Sequence, residues 1–137
     1  MSQLSAREDL DFSRPDTIAA YYMEDMRYYR QEHLKLLMLN TRSRLIGESE
    51  ISRGTVNMSV NFPRESLFIE ALQKNAVYII LLHNHPSGDP MPSREDILVT
   101  QRIREGGSLL GIELLDHIII GDNCYVSLAE QKLLKEK

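Results

Sequence analysis

Two histidines and one aspartate between residues 83 and 96 have the chemistry and the spacing of a metal site. His83 and His85 are separated by one residue and directly follow an apolar run. In an extended chain, both imidazoles would therefore point to the same face. Pro86 supports this geometry because it favours an extended backbone at His85. Two neighbouring imidazoles can chelate one zinc ion, and we predict that these two do so.

Asp96 is the predicted third ligand. Ser93 is a good N-cap residue, so Asp96 falls in the first turn of a helix, where the helix dipole stabilises a negative charge. Pro86, Pro90 and Pro92 restrict the loop before this helix, which lowers the entropy lost when the loop is ordered around a metal. Three protein ligands leave the fourth tetrahedral position of zinc open for water, and this arrangement is typical of catalytic zinc sites.

A purely structural interpretation can account for each part of this pattern separately. Ser93 and Asp96 have the spacing of a capping box, and a His-x-His pair is by itself a weak metal signal. The combination of two imidazoles, a restricted loop and a carboxylate nevertheless favours the metal interpretation. Capping and metal binding do not exclude each other, because Asp96 has two carboxylate oxygens.

Three other residues with reactive side chains are predicted to have structural roles. His117 lies in an apolar segment, where we expect a core histidine or a group behind the metal ligands, since a fourth protein ligand would displace the water. His33 adjoins a predicted strand and is assigned to the structure. Cys124 lies at a predicted hairpin turn with no base nearby in the sequence, so it is not expected to be a nucleophile.

The elements that must position these residues predict an α/β domain. The run at residues 77–82 is apolar and rich in β-branched residues, which predicts a central strand buried on both faces. The other predicted strands cover residues 33–39, 45–52, 112–120 and 125–128. The predicted helices begin near Ser13, Pro63 and Ser93, and a short charged helix is predicted to close the chain. This order of helices and hairpins favours a three-layer α/β/α sandwich with a mixed sheet.

Length and composition are those of a single globular domain. The chain has 137 residues, of which 42% are hydrophobic and 26% charged, and this fits one domain with one core. We expect a flexible leader at residues 1–12 and one domain at residues 13–137. The net charge of −4 argues against a surface that grips a DNA duplex, because phosphate binding needs a basic face.

Cysteine content and hydropathy bear on the compartment. The single cysteine excludes an internal disulfide and fits a reducing environment. The N-terminus has no long apolar run, and no apolar stretch approaches the roughly 20 residues needed to span a bilayer. We therefore expect a cytoplasmic protein with no membrane partner.

The spacing of His83-x-His85 and Ser93-x-x-Asp96 resembles the JAMM motif of MPN-type metallopeptidases. The longer stretch HNHPSGDPMPSREDI resembles the RadC family, bacterial proteins traditionally described as DNA repair proteins. Further matching features are Gly54-Thr55, Pro63-Arg64-Glu65 and the run from Leu110 to Asp122. The resemblance covers roughly residues 14–130 and implies a cytidine-deaminase-like (JAB/MPN) α/β/α fold. It also implies that the usual N-terminal helical domain of RadC proteins is lacking, in a truncated chain or a short paralogue.

The resemblance implies roles for two more residues. JAMM enzymes have a glutamate at the start of the first core strand, and the matching residue is Glu32, which would act as the general base. The residues alone do not distinguish Glu32 from Glu48, Glu50 or Glu65. In the same pattern, the Ser93 hydroxyl would stabilise the oxyanion of the tetrahedral intermediate.

The residues and the resemblance together predict a Zn²⁺-dependent hydrolase that cleaves peptide or isopeptide bonds in a peptide or protein substrate. Two alternatives stay open. One is a DNA-repair-associated accessory protein, for which nucleic acid is implied only by the traditional description of the family. The other is a non-catalytic zinc-binding domain used for protein–protein contact, as in MPN relatives that have lost their ligands.

Overall fold

The computed structural model describes residues 10–54 and 64–134. Its helices are α1 (Pro15–Met26), α2 (Arg64–Gln73) and α3 (Arg94–Leu109). Its strands are β1 (His33–Leu39), β2 (Leu45–Arg53), β3 (Tyr78–Asn84), β4 (Glu113–Ile120) and β5 (Tyr125–Ser127). The predicted α/β class is confirmed. Within the described ranges, none of the helices combines the length and the apolar character that crossing a membrane requires.

The five strands form one mixed sheet in the order β2-β1-β3-β4-β5. Strands β3 and β4 are parallel, whereas the other neighbouring pairs are antiparallel. The predicted central strand is confirmed, because β3 is the middle strand and is buried everywhere except at Tyr78. In the antiparallel pair, Leu34 near the start of β1 lies opposite His83 near the end of β3. The chain just before β1 therefore meets the chain just after β3.

Helices cover both faces of the sheet, which gives the three predicted layers. On one face, α1 packs against alternate residues of β1, β3 and β4, including Leu37, Ile80 and Ile118. On the other face, α2 and α3 pack against the residues in between, including Ile79 and Leu81. His83 continues the row of Ile79 and Leu81, because side chains alternate along a strand. The β3 histidine thus faces the layer that contains α3.

Two predicted helix details are wrong, and one falls outside the described residues. Ser13 does not cap α1: Arg14 occupies the N-cap position without a side-chain hydrogen bond. Ser13 instead donates to Asp11, 2.5 Å away, since this nearby carboxylate competes for its hydroxyl. Turns at residues 128–132 replace the described part of the predicted short charged closing helix, and residues 135–137 lie outside the described residues. Pro63 and residues 1–9 of the predicted leader lie outside the described residues, whereas Phe12 is buried in the core.

A buried carboxylate joins β4 to the chain after β5. The Ser127 hydroxyl donates to Asp116 Oδ2, and the backbone N–H groups of His117 and Ala129 donate to Oδ1 at 2.7 and 3.0 Å. Burial raises the pKa of Asp116 above its usual value, although these hydrogen bonds act in the opposite direction. Three donors therefore hold the carboxyl group of Asp116 where β4 pairs with the edge strand β5.

We expect Asp116→Ala to lower the free energy of unfolding by about 2–4 kcal/mol, because two buried donors and the part-buried Ala129 N–H would lose their acceptor. Urea denaturation of the native protein and the Asp116→Ala variant measures this difference. Asp25→Ala is the matched control, since Asp25 is exposed on α1 and its loss should change stability by less than about 0.5 kcal/mol. Equal stabilities of the two variants would show that the Asp116 hydrogen bonds contribute nothing.

Candidate metal centre

Three chain segments bring together two imidazoles and two carboxylates. Glu32 precedes β1, His83 lies near the end of β3 with His85 directly after that strand, and Asp96 lies in the first turn of α3. Glu32 Oε1 is 3.1 Å from His83 Nε2 and 3.8 Å from His85 Nε2. Asp96 Oδ2 is 3.3 Å from His85 Nε2, and Asp96 Oδ1 is 3.8 Å from His83 Nδ1. Four residues singled out in the sequence therefore surround one small volume.

The ligand atoms of Glu32, His83 and His85 all lie within 4.8 Å of one another. Imidazole nitrogens and carboxylate oxygens are common zinc ligands, so this group can hold a divalent cation of that kind. Asp96, the predicted third ligand, is not part of this three-residue group but contacts both histidines from the α3 side. The distances alone do not divide the roles of ligand and base between the two carboxylates.

Asp96 also forms the capping box that the structural interpretation of the sequence suggested. Ser93 Oγ accepts a hydrogen bond from Asp96 N at 3.0 Å, and Asp96 Oδ2 accepts one from Ser93 N at 2.9 Å. Burial alone would raise the pKa of Asp96, but hydrogen bonds from His85 and from Ser93 N–H hold it well below its usual value. The carboxylate is therefore ionised and fixed in position while it faces both imidazoles.

The charges at the site favour a cation. The hydrogen bond with His83 lowers the pKa of Glu32, so this carboxylate is also ionised. The hydrogen bond with Asp96 raises the pKa of His85, which means that the site attracts positive charge. A metal ion would take the place of that proton, because an imidazole must be deprotonated to bind a metal. The donor set and its charge thus fit zinc.

His85 is held by the loop that follows β3. Its backbone N–H donates to Ile120 O at 2.9 Å, and its Nδ1 lies 3.0 Å from Asp89 O. A carbonyl oxygen can only accept, so Nδ1 carries a proton, and Nε2 is the ring nitrogen that faces Glu32 and Asp96. Metal-binding histidines are commonly oriented in this way by a backbone carbonyl.

The turn between β4 and β5 holds the same loop. Asp122 N donates to Gly88 O at 2.8 Å, and a Cβ atom on Gly121 would lie only 2.3 Å from that oxygen. Glycine at position 121 therefore permits the close approach of the two loops. The Cys124 thiol donates to Gly88 O at 3.6 Å. This contact is consistent with the structural role predicted for Cys124.

Asn84 lies beside the predicted ligands, where the sequence allowed it a role in orienting ligands or substrate but not in catalysis, and its side chain holds the segment that carries Glu32. Its side-chain Oδ1 accepts from His33 N at 2.6 Å, and its Nδ2 donates to Gln31 O at 3.1 Å. These two bonds flank Glu32 on both sides, and Glu32 O accepts from Gly54 N at 2.8 Å. The sequence did contain a signal for this role. A carboxamide at the end of a buried apolar strand needs hydrogen-bond partners, which indicates that Asn84 holds another segment.

The His33 side chain packs beside the segment that Asn84 holds, and its contacts are those of a structural residue. Its ring stacks on Tyr29, with 4.0 Å between the ring centroids, and its Nδ1 pairs with the Glu50 carboxylate on β2. Both partners belong to the packing around β1. The prediction that His33 is structural agrees with these contacts.

We expect Asn84→Ala to lower the free energy of unfolding by about 1–3 kcal/mol, since it leaves the buried His33 N–H without an acceptor. Asn40→Ala is the matched control: Asn40 accepts from Arg42 N and Arg44 N in the β1–β2 turn. The control should lose less stability because its two hydrogen bonds are exposed, and urea denaturation measures both variants. Native stability in Asn84→Ala would show that the buried bond to His33 N–H contributes nothing.

A cavity of about 170 Å³ opens beside His85. Met26 and Tyr29 at the end of α1 line one part of it, and Pro86 and Gly88 of the loop after β3 line another. The side chain of His85 is 15% exposed and that of Glu32 is 29% exposed. Glu32 and His85 are therefore the members of the cluster that solvent reaches, whereas His83 and Asp96 are buried.

The mixed five-stranded sheet, its helical layers and the cluster at the end of β3 define a JAB-type α/β domain, a class that includes metallohydrolases. The match to a family model is more specific. The model of the RadC-like JAB domain covers residues 12–133, so the chain belongs to the RadC-like JAB domain family.

Curated bacterial relatives support the same assignment. A UPF0758 protein of Desulfitobacterium hafniense is 54% identical over 120 residues, which are 88% of this chain and 52% of the relative. A UPF0758 protein of Clostridium novyi is 49% identical over the same shares of the two chains. A UPF0758 protein of Clostridium botulinum is 48% identical over 138 residues, or 96% of this chain and 60% of the relative. The chain thus spans between about half and three-fifths of the length of these relatives.

Proposed function

We propose that this domain is a zinc-dependent hydrolase of peptide or isopeptide bonds. The observation that carries the proposal is the convergence of Glu32, His83, His85 and Asp96 at the end of the central strand. Membership in the RadC-like JAB domain family supports it, because the JAB class includes metallohydrolases. A structural role alone would not require two ionised carboxylates to face two imidazoles at a partly open site.

His83, His85 and Asp96 would hold the zinc, which leaves Glu32 for proton transfer. Exposure supports this division, because the side chain of Asp96 is 5% exposed whereas that of Glu32 is 29% exposed. A ligand benefits from burial and from a fixed orientation, and the capping box provides both for Asp96. A general base must instead reach the water and the substrate, so the more exposed carboxylate suits that role.

Bound zinc would supply the Lewis acidity that activates a water molecule and polarises the substrate carbonyl. Glu32 takes a proton from the attacking water and later delivers it to the leaving amine. The C–N bond breaks, and the products are a carboxylate and an amine. Ser93 Oγ accepts the Asp96 N–H, so the hydroxyl proton of Ser93 stays available to donate to the developing oxyanion. The cavity beside His85 would take a substrate group next to the scissile bond.

We expect the purified full chain to cleave peptide or isopeptide-linked test substrates only when it contains zinc. Dialysis against a chelator should remove the activity, and one equivalent of zinc should restore it, because water activation depends on the metal. Fluorescence-quenched peptides and isopeptide-linked conjugates provide the assay. Cleavage that persists in the chelated protein would contradict the proposal.

A DNA titration at low salt provides the comparison with the DNA-associated alternative. Duplex binding through phosphates weakens steeply as salt rises. Salt-dependent binding to DNA by a chain that holds zinc but cleaves no substrate would favour that alternative over the hydrolase.

A further inference from the structure

The helices α2 and α3 carry most of the exposed apolar side chains in the part of the chain that the structure describes. Seven large hydrophobic residues are exposed there, and five of them lie on or directly after these two helices: Ile69, Leu72, Leu98, Leu109 and Leu110. Both helices cover the same face of the sheet. Exposed apolar residues that gather on one layer, instead of being scattered singly, are typical of a surface that another polypeptide covers.

Four exposed residues form a narrow stripe along α3. Leu98, Arg102, Glu105 and Leu109 follow one another in steps of four, three and four positions, so they lie on one side of the helix. The buried residues of α3 face the sheet from the other side. The two leucines are 45% and 88% exposed. Alternating steps of four and three positions are the spacing of a seam along which two helices pack.

The stripe is self-complementary under a two-fold axis. Let a second copy of α3 lie antiparallel to the first, with the axis midway between Arg102 and Glu105. Leu98 of one copy then meets Leu109 of the other, and Arg102 meets Glu105. Each contact occurs twice, because a two-fold interface uses the same surface on both copies. Apolar residues therefore pair at both ends of the seam and opposite charges pair at its centre.

The two charged residues at the centre of the stripe also select the direction of the pairing. Arg102 and Glu105 are exposed, and neither has an ion pair with another side chain among residues 10–54 and 64–134. A parallel, in-register pair of α3 helices would place arginine against arginine and glutamate against glutamate. Such like-charge contacts are unfavourable, whereas the antiparallel pair has none of them at its centre.

We infer that the outer face of α3 binds a second copy of this chain as an antiparallel, two-fold helix pair. Helix α2 flanks the pair, because Phe68 packs against α3 at Gly106, where a Cβ atom would lie 3.2 Å from the ring. The exposed Ile69 and Leu72 of α2 would extend the apolar contact. Each copy buries little more than one helix face, so we expect a dissociation constant on the order of micromolar.

Sedimentation velocity of the full chain over a range of micromolar concentrations tests the inference. The native chain should pass from monomer to dimer as the concentration rises. Arg102→Glu and Glu105→Arg each replace two opposite-charge contacts by two like-charge contacts, so each should raise the dissociation constant by about 10-fold or more. Arg42→Glu is the matched control, because Arg42 is exposed in the β1–β2 turn and its reversal should leave the dissociation constant unchanged.

A mixture of the two single variants gives the sharpest test. In a dimer of one Arg102→Glu chain with one Glu105→Arg chain, both central contacts again join a glutamate to an arginine. An equimolar mixture should therefore recover native association, although each variant alone associates weakly. The double variant Arg102→Glu/Glu105→Arg should recover it as well. A defect in the fold of either variant would not be repaired by adding the other.

Two results would overturn the inference. A native chain that stays monomeric at every concentration would show that α3 does not bind a second copy, and its outer face would then be available to a different polypeptide. Native dimerisation in Arg102→Glu, or no recovery in the mixture, would place the dimer interface elsewhere. These measurements need neither zinc nor substrate, so their outcome is independent of the hydrolase proposal.

Discussion

His85→Ala is expected to abolish stoichiometric zinc binding. The substitution removes one of the two imidazoles in the ligand group and also the partner of Asp96 Oδ2. Loss of a group that merely supports a ligand costs about 10–100-fold in affinity, so loss of the ligand itself should cost more than about 100-fold. Zinc content after dialysis and titration calorimetry of the metal-free protein measure the effect.

His33→Ala is the matched control for this experiment. Both substitutions remove one imidazole from the same region of the fold, but the His33 ring pairs with Glu50 and stacks on Tyr29 away from the ligand group. We expect this variant to retain one equivalent of zinc even if it loses stability. A full equivalent of tightly held zinc in His85→Ala would mean that the metal, if present, binds elsewhere.

Glu32→Gln is expected to keep zinc and lose turnover. Glutamine has nearly the same shape as glutamate, but its amide cannot take a proton from water. A positioned general base contributes about 10²–10⁴-fold to rate, so kcat should fall by a factor in that range. Steady-state kinetics on the zinc-loaded variant, together with its metal content, measure both properties in one preparation.

The zinc affinity of Glu32→Gln decides whether Glu32 is a ligand or a general base, which the distances do not distinguish. If Glu32 is a ligand, as its grouping with the two histidines allows, the glutamine variant loses zinc affinity together with turnover. Glu50→Gln serves as the control, because Glu50 is a partly exposed carboxylate on β2 that pairs with His33 and Arg53. That variant should keep native turnover. Undiminished kcat in Glu32→Gln would remove Glu32 from the mechanism.

The strands were more predictable than the helix ends. The apolar run at residues 77–82 fits only a buried strand of this length, and β3 is the middle strand of the sheet. The cap at Ser93 was also predictable, because Asp96 lies three residues further on and completes a capping box. Ser13 had similar local signals, yet its hydroxyl donates to Asp11. Competition from the nearby Asp11 carboxylate therefore explains why Ser13 does not cap the N-terminus of α1.

The site was predictable in part. The His-x-His spacing places His83 and His85 at one end of a strand, but nothing local in the sequence connects Asn84 with the segment around Glu32. That connection depends on the antiparallel pairing of β1 with β3, which places Leu34 opposite His83. The contact of Thr100 with His117 likewise depends on how α3 packs on β4.

The α/β class and the placing of two imidazoles on one face of a strand could be predicted from the chain alone, because both follow from local periodicity and side-chain chemistry. Which carboxylates reach the histidines, and which groups orient them, depends on tertiary contacts. Those contacts join residues far apart in the chain, and their distances are set by strand register and helix packing, which no local pattern encodes.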